Sequence, residues 1–341
     1  MATDTSSNEI NRQFRLAARP RGMVKETDLG YAEAAVPVPG PGEVLIRTRY
    51  ISLDPSMRGQ MENRADYVAP LQIDDVMRAG GAGEVVESNN PKFPVGTLVS
   101  GSFGMQDWCV SDGRTVPLRT FPSDVDPVTA LGVLGGTGMT AYFGLLEIGQ
   151  PKTGDVVVVS GAAGATGSIA GQIAKIKGCH VIGIAGSAEK CRWLVDDLGF
   201  DAAINYKTQN VAEELDRLCP KGINIYFDNV GGEILDVCLA RIAMNARVVI
   251  CGGISRYNIT GPIPGPRNYF NLVYRRARME GFIVLDYAAR FAEASIEMKQ
   301  WIDAGLIRHH ATVIEGFRNL PKTLVDLFAG VNTGKLMVRV D

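Results

Sequence analysis

Apolar and polar positions change rhythm twice along the chain. From about residue 31 to residue 110, short alternating runs are broken by proline and glycine, at 43–51, 81–87, 96–101 and 106–110. Such runs predict short strands in a small, mostly β unit. Past Asp126 the runs become continuous and β-branched, at 156–160, 180–185, 202–206, 223–228, 246–251 and 278–284. Segments of helical period lie between them, including 187–198 and 232–242, and another amphipathic helix is predicted at 291–304. Strands alternating with helical crossovers predict α/β architecture with an open, doubly wound parallel sheet. From His310 onward the text returns to strand mixed with a short helix over Leu320–Ala329, and this tail is predicted to rejoin the first unit. Residues 1 to about 15 are polar and read as a disordered arm. A chain of 341 residues is long for one core, so two domains are expected.

The densest chemistry follows the first continuous run. Val156-Val-Val-Val-Ser160 leads into Gly161-Ala-Ala-Gly-Ala-Thr-Gly167 and then into a helical stretch from Ser168 to Lys177. Strand, tight turn and helix in that order make the dinucleotide-binding unit. The glycine pattern is A-x-G-x-x-G, with Ala162 in the usual first glycine position. Gly164 would let the backbone approach a pyrophosphate, and Gly167 would let the helix pack close to the strand. The helix N-terminus would offer free N–H groups to the phosphates. The second strand ends in Gly186-Ser187, without the acid that binds a ribose 2′-hydroxyl, and Lys190 follows in the first turn of the next helix. A missing acid and a present cation predict NADPH. The bland alternative is a lysine facing solvent.

Charge and composition narrow the remaining classes. A formal net charge of −2 gives no electrostatic case for nucleic acid or an anionic membrane. No apolar run reaches the roughly 18 residues of a membrane span, and the polar start lacks a signal-peptide core, so a cytoplasmic enzyme is expected. Cys109, Cys179, Cys191, Cys219, Cys238 and Cys251 are scattered, which favours reduced thiols over disulfides. The histidines are His180, His309 and His310, and no C-x-x-C is present, so no zinc site is expected. Any carbonyl must then be polarised by hydrogen bonds.

Motifs from end to end carry a family likeness. They include Leu53-Asp-Pro-Ser-Met-Arg58, Gly138-Met-Thr-Ala-Tyr142, Gly161–Gly167, Asn205-Tyr-Lys207, Phe227-Asp-Asn-Val-Gly-Gly232, Cys251-Gly-Gly-Ile-Ser-Arg-Tyr-Asn258 and Gly330-Val-Asn-Thr-Gly-Lys335. In these the chain resembles the zinc-independent medium-chain dehydrogenase/reductases, and among them the leukotriene/prostaglandin reductase and alkenal double-bond reductase group with its curcumin reductase-like members. The resemblance implies a GroES-like catalytic domain from residues 1–127 and 305–341, with a Rossmann NADPH-binding domain, 128–304, inserted. It implies cofactor contacts at Ala163, Gly164, Ala165, Thr166 and Gly167 for the pyrophosphate, and at Ser187, Lys190 and Tyr206 for the 2′-phosphoadenosine end. Asn229, Cys251, Gly252, Ile254, Ser255 and Tyr257, with Phe282, Ile283, Val284 and Asn332, would follow the path to the nicotinamide. Tyr206 could instead be a core tyrosine, and Asn229 a turn cap.

The implied reaction is reduction of a carbon–carbon double bond conjugated to a carbonyl, with hydride added at the β-carbon. The cofactor's own ribose hydroxyl is one candidate donor to the developing enolate; Tyr257 is the protein's candidate catalytic donor, or else a packing wall for the substrate. Tyr50 and Tyr67 are further substrate candidates. Ser56 stands where many members of the group carry tyrosine. Two alternatives stay open: a zinc-free quinone reductase, and an NADPH-binding protein without catalysis. A homodimer is expected, covering the sheet edge at 278–284.

Overall fold

A computed structural model describes residues 9–64 and 68–341. Six parallel strands form one sheet: β8 (Val156–Ser160), β9 (His180–Ala185), β10 (Ala202–Asn205), β11 (Ile223–Asp228), β12 (Ile242–Ile250) and β13 (Arg278–Gly281). Their spatial order is β10-β9-β8-β11-β12-β13. The order reverses between β8 and β11, and open α/β sheets bind ligands beyond the strand ends at such a point. The valine run shows why the sheet is doubly wound. Val157 and Val159 enter one core with Ile169, Ile173 and Phe227, while Val158 enters the opposite core with Ile182, Tyr226 and Val248. All three valines are fully buried, each worth about 1.5–3 kcal/mol of transfer free energy.

The second sheet draws on both ends of the chain. β3 (Val44–Leu53), β4 (Gly80–Ser88), β5 (Leu98–Ser102), β6 (Trp108–Ser111) and β7 (Arg119–Thr120) come from the first part. β14 (Ala311–Glu315) and β15 (Lys335–Arg339) come from the tail, and the order is β14-β15-β3-β4-β5-β7, with β6 also on β3. The fold is thus a doubly wound Rossmann sheet inserted into a mostly β domain.

The structure corrects several sequence expectations. The supposed arm contains β1 (Ile10–Leu16), which pairs antiparallel with β2 (Leu29–Ala35). It escapes a simple alternation because both its faces are buried, Phe14 and Leu16 on one and the amides of Asn11 and Gln13 on the other. Asn11 bonds both the N–H and the carbonyl of Trp108, and Gln13 donates to Gln106 at 2.9 Å. β12 begins at Ile242, where helix was expected to end, and the helix itself is Gly232–Leu239. Asn245, at φ 58°, and a register shift against β11 interrupt the strand and mask its start. The predicted sixth strand stops at Gly281, and the chain leaves the sheet before Phe282. The helix expected over 187–198 is Ala188–Arg192 running into a wider turn, Trp193–Asp197.

Candidate cofactor and substrate site

The glycine-rich turn leaves β8 at the switch point. Gly161 takes φ 56°, a left-handed conformation that favours glycine, so it makes the tight turn. The sequence reading assigned that position to Ala162, which is fully buried under the turn. Gly164 is the N-cap of helix Ala165–Ile176, and no side chain caps that end. A Cβ on Gly164 would meet only the Gly161 carbonyl, at 3.2 Å, whereas one on Gly167 would stand 2.4 Å from the same oxygen. Gly167 therefore serves helix–strand contact, and Gly164 opens space in front of the N–H groups of Ala165, Thr166 and Gly167. An uncapped helix start with such space is suited to an anion. The Ala163 carbonyl accepts from Gly334 N at 2.8 Å, so the 330–334 loop of the other domain borders the turn.

Beyond β9 the Ser187 hydroxyl caps helix Ala188–Arg192, accepting from Lys190 N at 3.2 Å. Lys190 Nζ donates to the Gly330 carbonyl at 2.7 Å. Burial first, then the charge of Lys207, pushes the Lys190 pKa below the ordinary lysine value. The Tyr206 ring lies against Gly186, whose added Cβ would stand 3.1 Å from the phenol oxygen, and Tyr206 is 46% exposed, not a core residue. The sequence reading did not single out Lys207. It lies beyond the end of β10, which pairs with the end of β9 through Asn205 and Ala185.

At the end of β11, Asp228 is buried and one carboxylate oxygen collects four donors. These are Ser160 Oγ at 2.9 Å, Tyr226 OH at 2.7 Å, and the N–H groups of Val230 and Gly231 at 3.0 and 2.9 Å. This hub shapes the turn and was missed: three of its donors are local, and Ser160, the fourth, joins it from β8. Asn229 donates to the Ser160 carbonyl at 2.7 Å, fixing β11 to β8. Past β12, Cys251 N and Gly252 N donate to the Asp228 carbonyl at 2.9 and 3.0 Å, and Ile254 N to that of Asn229 at 3.3 Å. Ser255 spends its hydroxyl on the Val230 carbonyl at 2.6 Å.

Tyr257 folds back over this loop. Its phenol oxygen accepts from Gly253 N at 3.2 Å, which leaves the O–H proton free to donate. Burial raises its pKa above the usual phenol value. Phe282 packs against Gly144, and Phe282 and Val284 join the adjacent apolar core, while Ile283 is half-buried beside them. Asn332 donates to the Gly334 carbonyl at 2.9 Å. Tyr50 packs with Ala82, Leu131 and Met337 in a small apolar cluster of its own. Tyr67 lies outside the described residues. Ser56 is exposed at the start of a short helix, Met57–Gln60.

His309 and His310 line a small cavity with Ala165 and Ser168. His309 Nε2 is 3.3 Å from Thr129 Oγ1, and burial lowers its pKa; His180 lies 3.5 Å from Asp201. No group of three or more His, Cys, Asp or Glu among the described residues could hold a metal ion. All six cysteines are free. No helix among the described residues is long and apolar enough to cross a membrane.

Two family profiles match: an N-terminal domain of oxidoreductase over residues 12–117 and a zinc-binding dehydrogenase domain over residues 165–300. Together with the two sheets they define a medium-chain dehydrogenase/reductase. The NADPH-dependent curcumin reductase of Escherichia coli is 43% identical over 97% of this chain and 97% of its own length. The NADP(+)-dependent 2-alkenal reductase of Nicotiana tabacum is 38% identical over 97% of both. The crystal structure of CurA in complex with NADPH from Vibrio vulnificus superposes with a TM-score of 0.91 at 42% identity, covering 97% of this chain and 99% of that one. The chain belongs to the prostaglandin, curcumin and alkenal reductase group of the zinc-independent medium-chain reductases.

Proposed function

We propose that the chain is an NADPH-dependent reductase of the carbon–carbon double bond in α,β-unsaturated ketones and aldehydes. The observation that carries this reading is the Tyr257 hydroxyl, which accepts from Gly253 and keeps its proton to donate at the ligand-binding end of the sheet. The residues fit the cofactor. The uncapped helix start with open space at Gly164 receives the pyrophosphate, and Lys190, Lys207 and Tyr206 receive the 2′-phosphate end. The names of the curcumin and alkenal reductases support the same cofactor and substrate class.

Bound there, NADPH supplies the hydride that the substrate's β-carbon takes up. Negative charge then builds on the substrate carbonyl oxygen as an enolate. Tyr257 donates a hydrogen bond to that oxygen, and a donor already oriented in a partly dry cleft costs no reorganisation when the charge appears. Its raised pKa keeps the phenol protonated across neutral pH. The catalytic domain, residues 1–127 and 305–341, contains the two-ended sheet, and 128–304 form the cofactor domain. The chain works as a homodimer: all four residues of edge strand β13 are exposed, and Val273 and Tyr274 nearby are 62% and 65% exposed.

The test is a panel of 2-alkenals, enones and quinones at equal enzyme, following NADPH consumption and identifying products. Saturated carbonyl products with the carbonyl intact are expected. Turnover of quinones alone, or of nothing, would overturn the proposal.

A further inference from the structure

Arg58 ends the stretch Leu53–Arg58, and its side chain is only 4% exposed. Its Nε donates to Asn258 Oδ1 at 3.2 Å and to the Gly22 carbonyl at 3.3 Å. One terminal nitrogen reaches the carbonyls of Pro20 and Gly22 at 3.2 and 3.3 Å, and the other pairs with Glu62. Asn258 directly follows Tyr257 and is 200 residues from Arg58 in sequence. Gly22 borders the same loop: a Cβ there would lie 3.8 Å from the Asn258 carbonyl and 3.7 Å from Thr260. The loop that carries Tyr257 therefore has two moorings. Its start is tied to the Rossmann sheet through the carbonyls of Asp228 and Asn229. Its far end is tied to the β domain through Arg58.

We propose that Arg58, acting through Asn258, sets Tyr257 in the cleft between the two domains. Both are positioning residues, and neither touches substrate. The inference rests on the reading of Tyr257 as the enolate donor. Arginine suits the task because its planar fork holds several acceptors in fixed directions at once, which a lysine ammonium does not. Burial strengthens these charge-assisted bonds relative to water. The Gly253 bond restrains the phenol, and the Arg58 contact restrains the loop end on which the ring stands.

Replacing Arg58 would strip donors from Glu62 and from two backbone carbonyls, with a risk of unfolding, so the test perturbs Asn258. Asn258→Ala, Asn258→Asp, Tyr257→Phe and the Ala/Phe double variant are compared with the unmodified protein. The readouts are kcat and KM for a 2-alkenal, the NADPH dissociation constant by fluorescence, and a phenolate absorbance titration. Asn258→Ala should lower kcat on the order of tenfold, as Tyr257→Phe does, with NADPH affinity changed by less than about threefold. The double variant should be no slower than Tyr257→Phe alone. Asn258→Asp should restore the rate, since its carboxylate accepts from the same Arg58 donor. In the titration, the transition absent from Tyr257→Phe should move down toward the ordinary phenol range in Asn258→Ala.

Unchanged kcat in Asn258→Ala, multiplying losses in the double variant, or an unmoved phenol transition would each overturn the inference. If the unmodified chain reduces no enone, the functional reading falls. The titration then decides the mooring by itself, a downward shift supporting it and no shift refuting it.

Discussion

Lys190→Ala separates two jobs that one amine performs. The amine holds the Gly330 carbonyl at 2.7 Å, and in the proposed function it also receives the 2′-phosphate. The first contact is common to NADPH and NADH. The contact is partly exposed, so water replaces it in part, and its loss should cost about 0.5–1.5 kcal/mol with either cofactor. The second contact exists only with NADPH and joins two charged groups, worth about 1.5–3 kcal/mol. The ratio of kcat/KM for NADPH to that for NADH should thus fall by about 10- to 150-fold, at 1.4 kcal/mol per factor of ten. Lys207, close enough to depress the Lys190 pKa, can take over part of the phosphate charge and places the expected value near the lower end. The assay is steady-state kinetics with both cofactors at saturating enone, with cofactor dissociation constants measured by fluorescence. Equal losses with both cofactors would mean that Lys190 only moors the loop. Equal use of NADH by the unmodified protein would refute the whole charge argument. A pH profile adds an independent check. The protonated amine binds the phosphate, and its pKa in the free protein lies below the usual lysine value. For NADPH, kcat/KM should fall as pH rises through that lowered value, short of about 10.4, while the NADH profile lacks this limb.

Tyr257→Phe should lower kcat on the order of tenfold with KM changed by less than about threefold, whereas Tyr257→Ala should raise KM as well; a Phe variant indistinguishable from the unmodified enzyme would make Tyr257 a wall of the pocket. Gly167→Ala places a Cβ 2.4 Å from the Gly161 oxygen and 2.9 Å from Ala162 Cα, both backbone, and should cost about 1–3 kcal/mol in urea unfolding. Gly164→Ala should fold normally and weaken NADPH binding instead, and equal stability losses at the two glycines would contradict this division. Activity should survive extensive EDTA treatment and dialysis, and recovery on zinc alone after a loss would contradict that. Light scattering should give twice the 36.7 kDa chain mass, and Tyr274→Glu should reduce it; a single-chain mass for the unmodified protein would refute the dimer.

The Rossmann half was legible because its signals are local. A valine run, a glycine turn and a helical period lie within a few residues of each other, and β8, β9 and β11 have the bounds that the runs suggest. What escaped were features whose physics is spread over the chain. β1 buries both faces, Phe14 and Leu16 on one and Asn11 and Gln13 on the other, where amide bonds to residues more than ninety positions away compensate their burial. Gly161 was displaced from the turn by a pattern one residue out of step, although only a glycine there tolerates φ 56° comfortably. Asp228 looked like the end of a strand; Tyr226, Val230 and Gly231 are local donors, but the fourth, Ser160, reaches it only once β8 and β11 lie side by side. Arg58 was visible as part of a motif, but its partner Asn258 is 200 residues away and leaves no periodic trace.

The placement of β15 dictates the order in which the molecule can be completed during synthesis. Leu336 pairs with Leu53 while β6 covers only Val44–Arg47, so the Tyr50–Leu53 half of that β3 flank is open until residues 335–339 leave the ribosome. Everything needed for the six-stranded sheet, through Gly281, has by then been translated, and domains generally fold as units as they emerge. A folded insert brings the two outer segments within reach. It replaces a long flexible loop by a short effective one, and so reduces the entropy lost when β15 docks. Until then the nascent chain carries a half-open β3, and a polypeptide cut short before Lys335 would hold a finished nucleotide fold beside an unclosed, sticky second sheet.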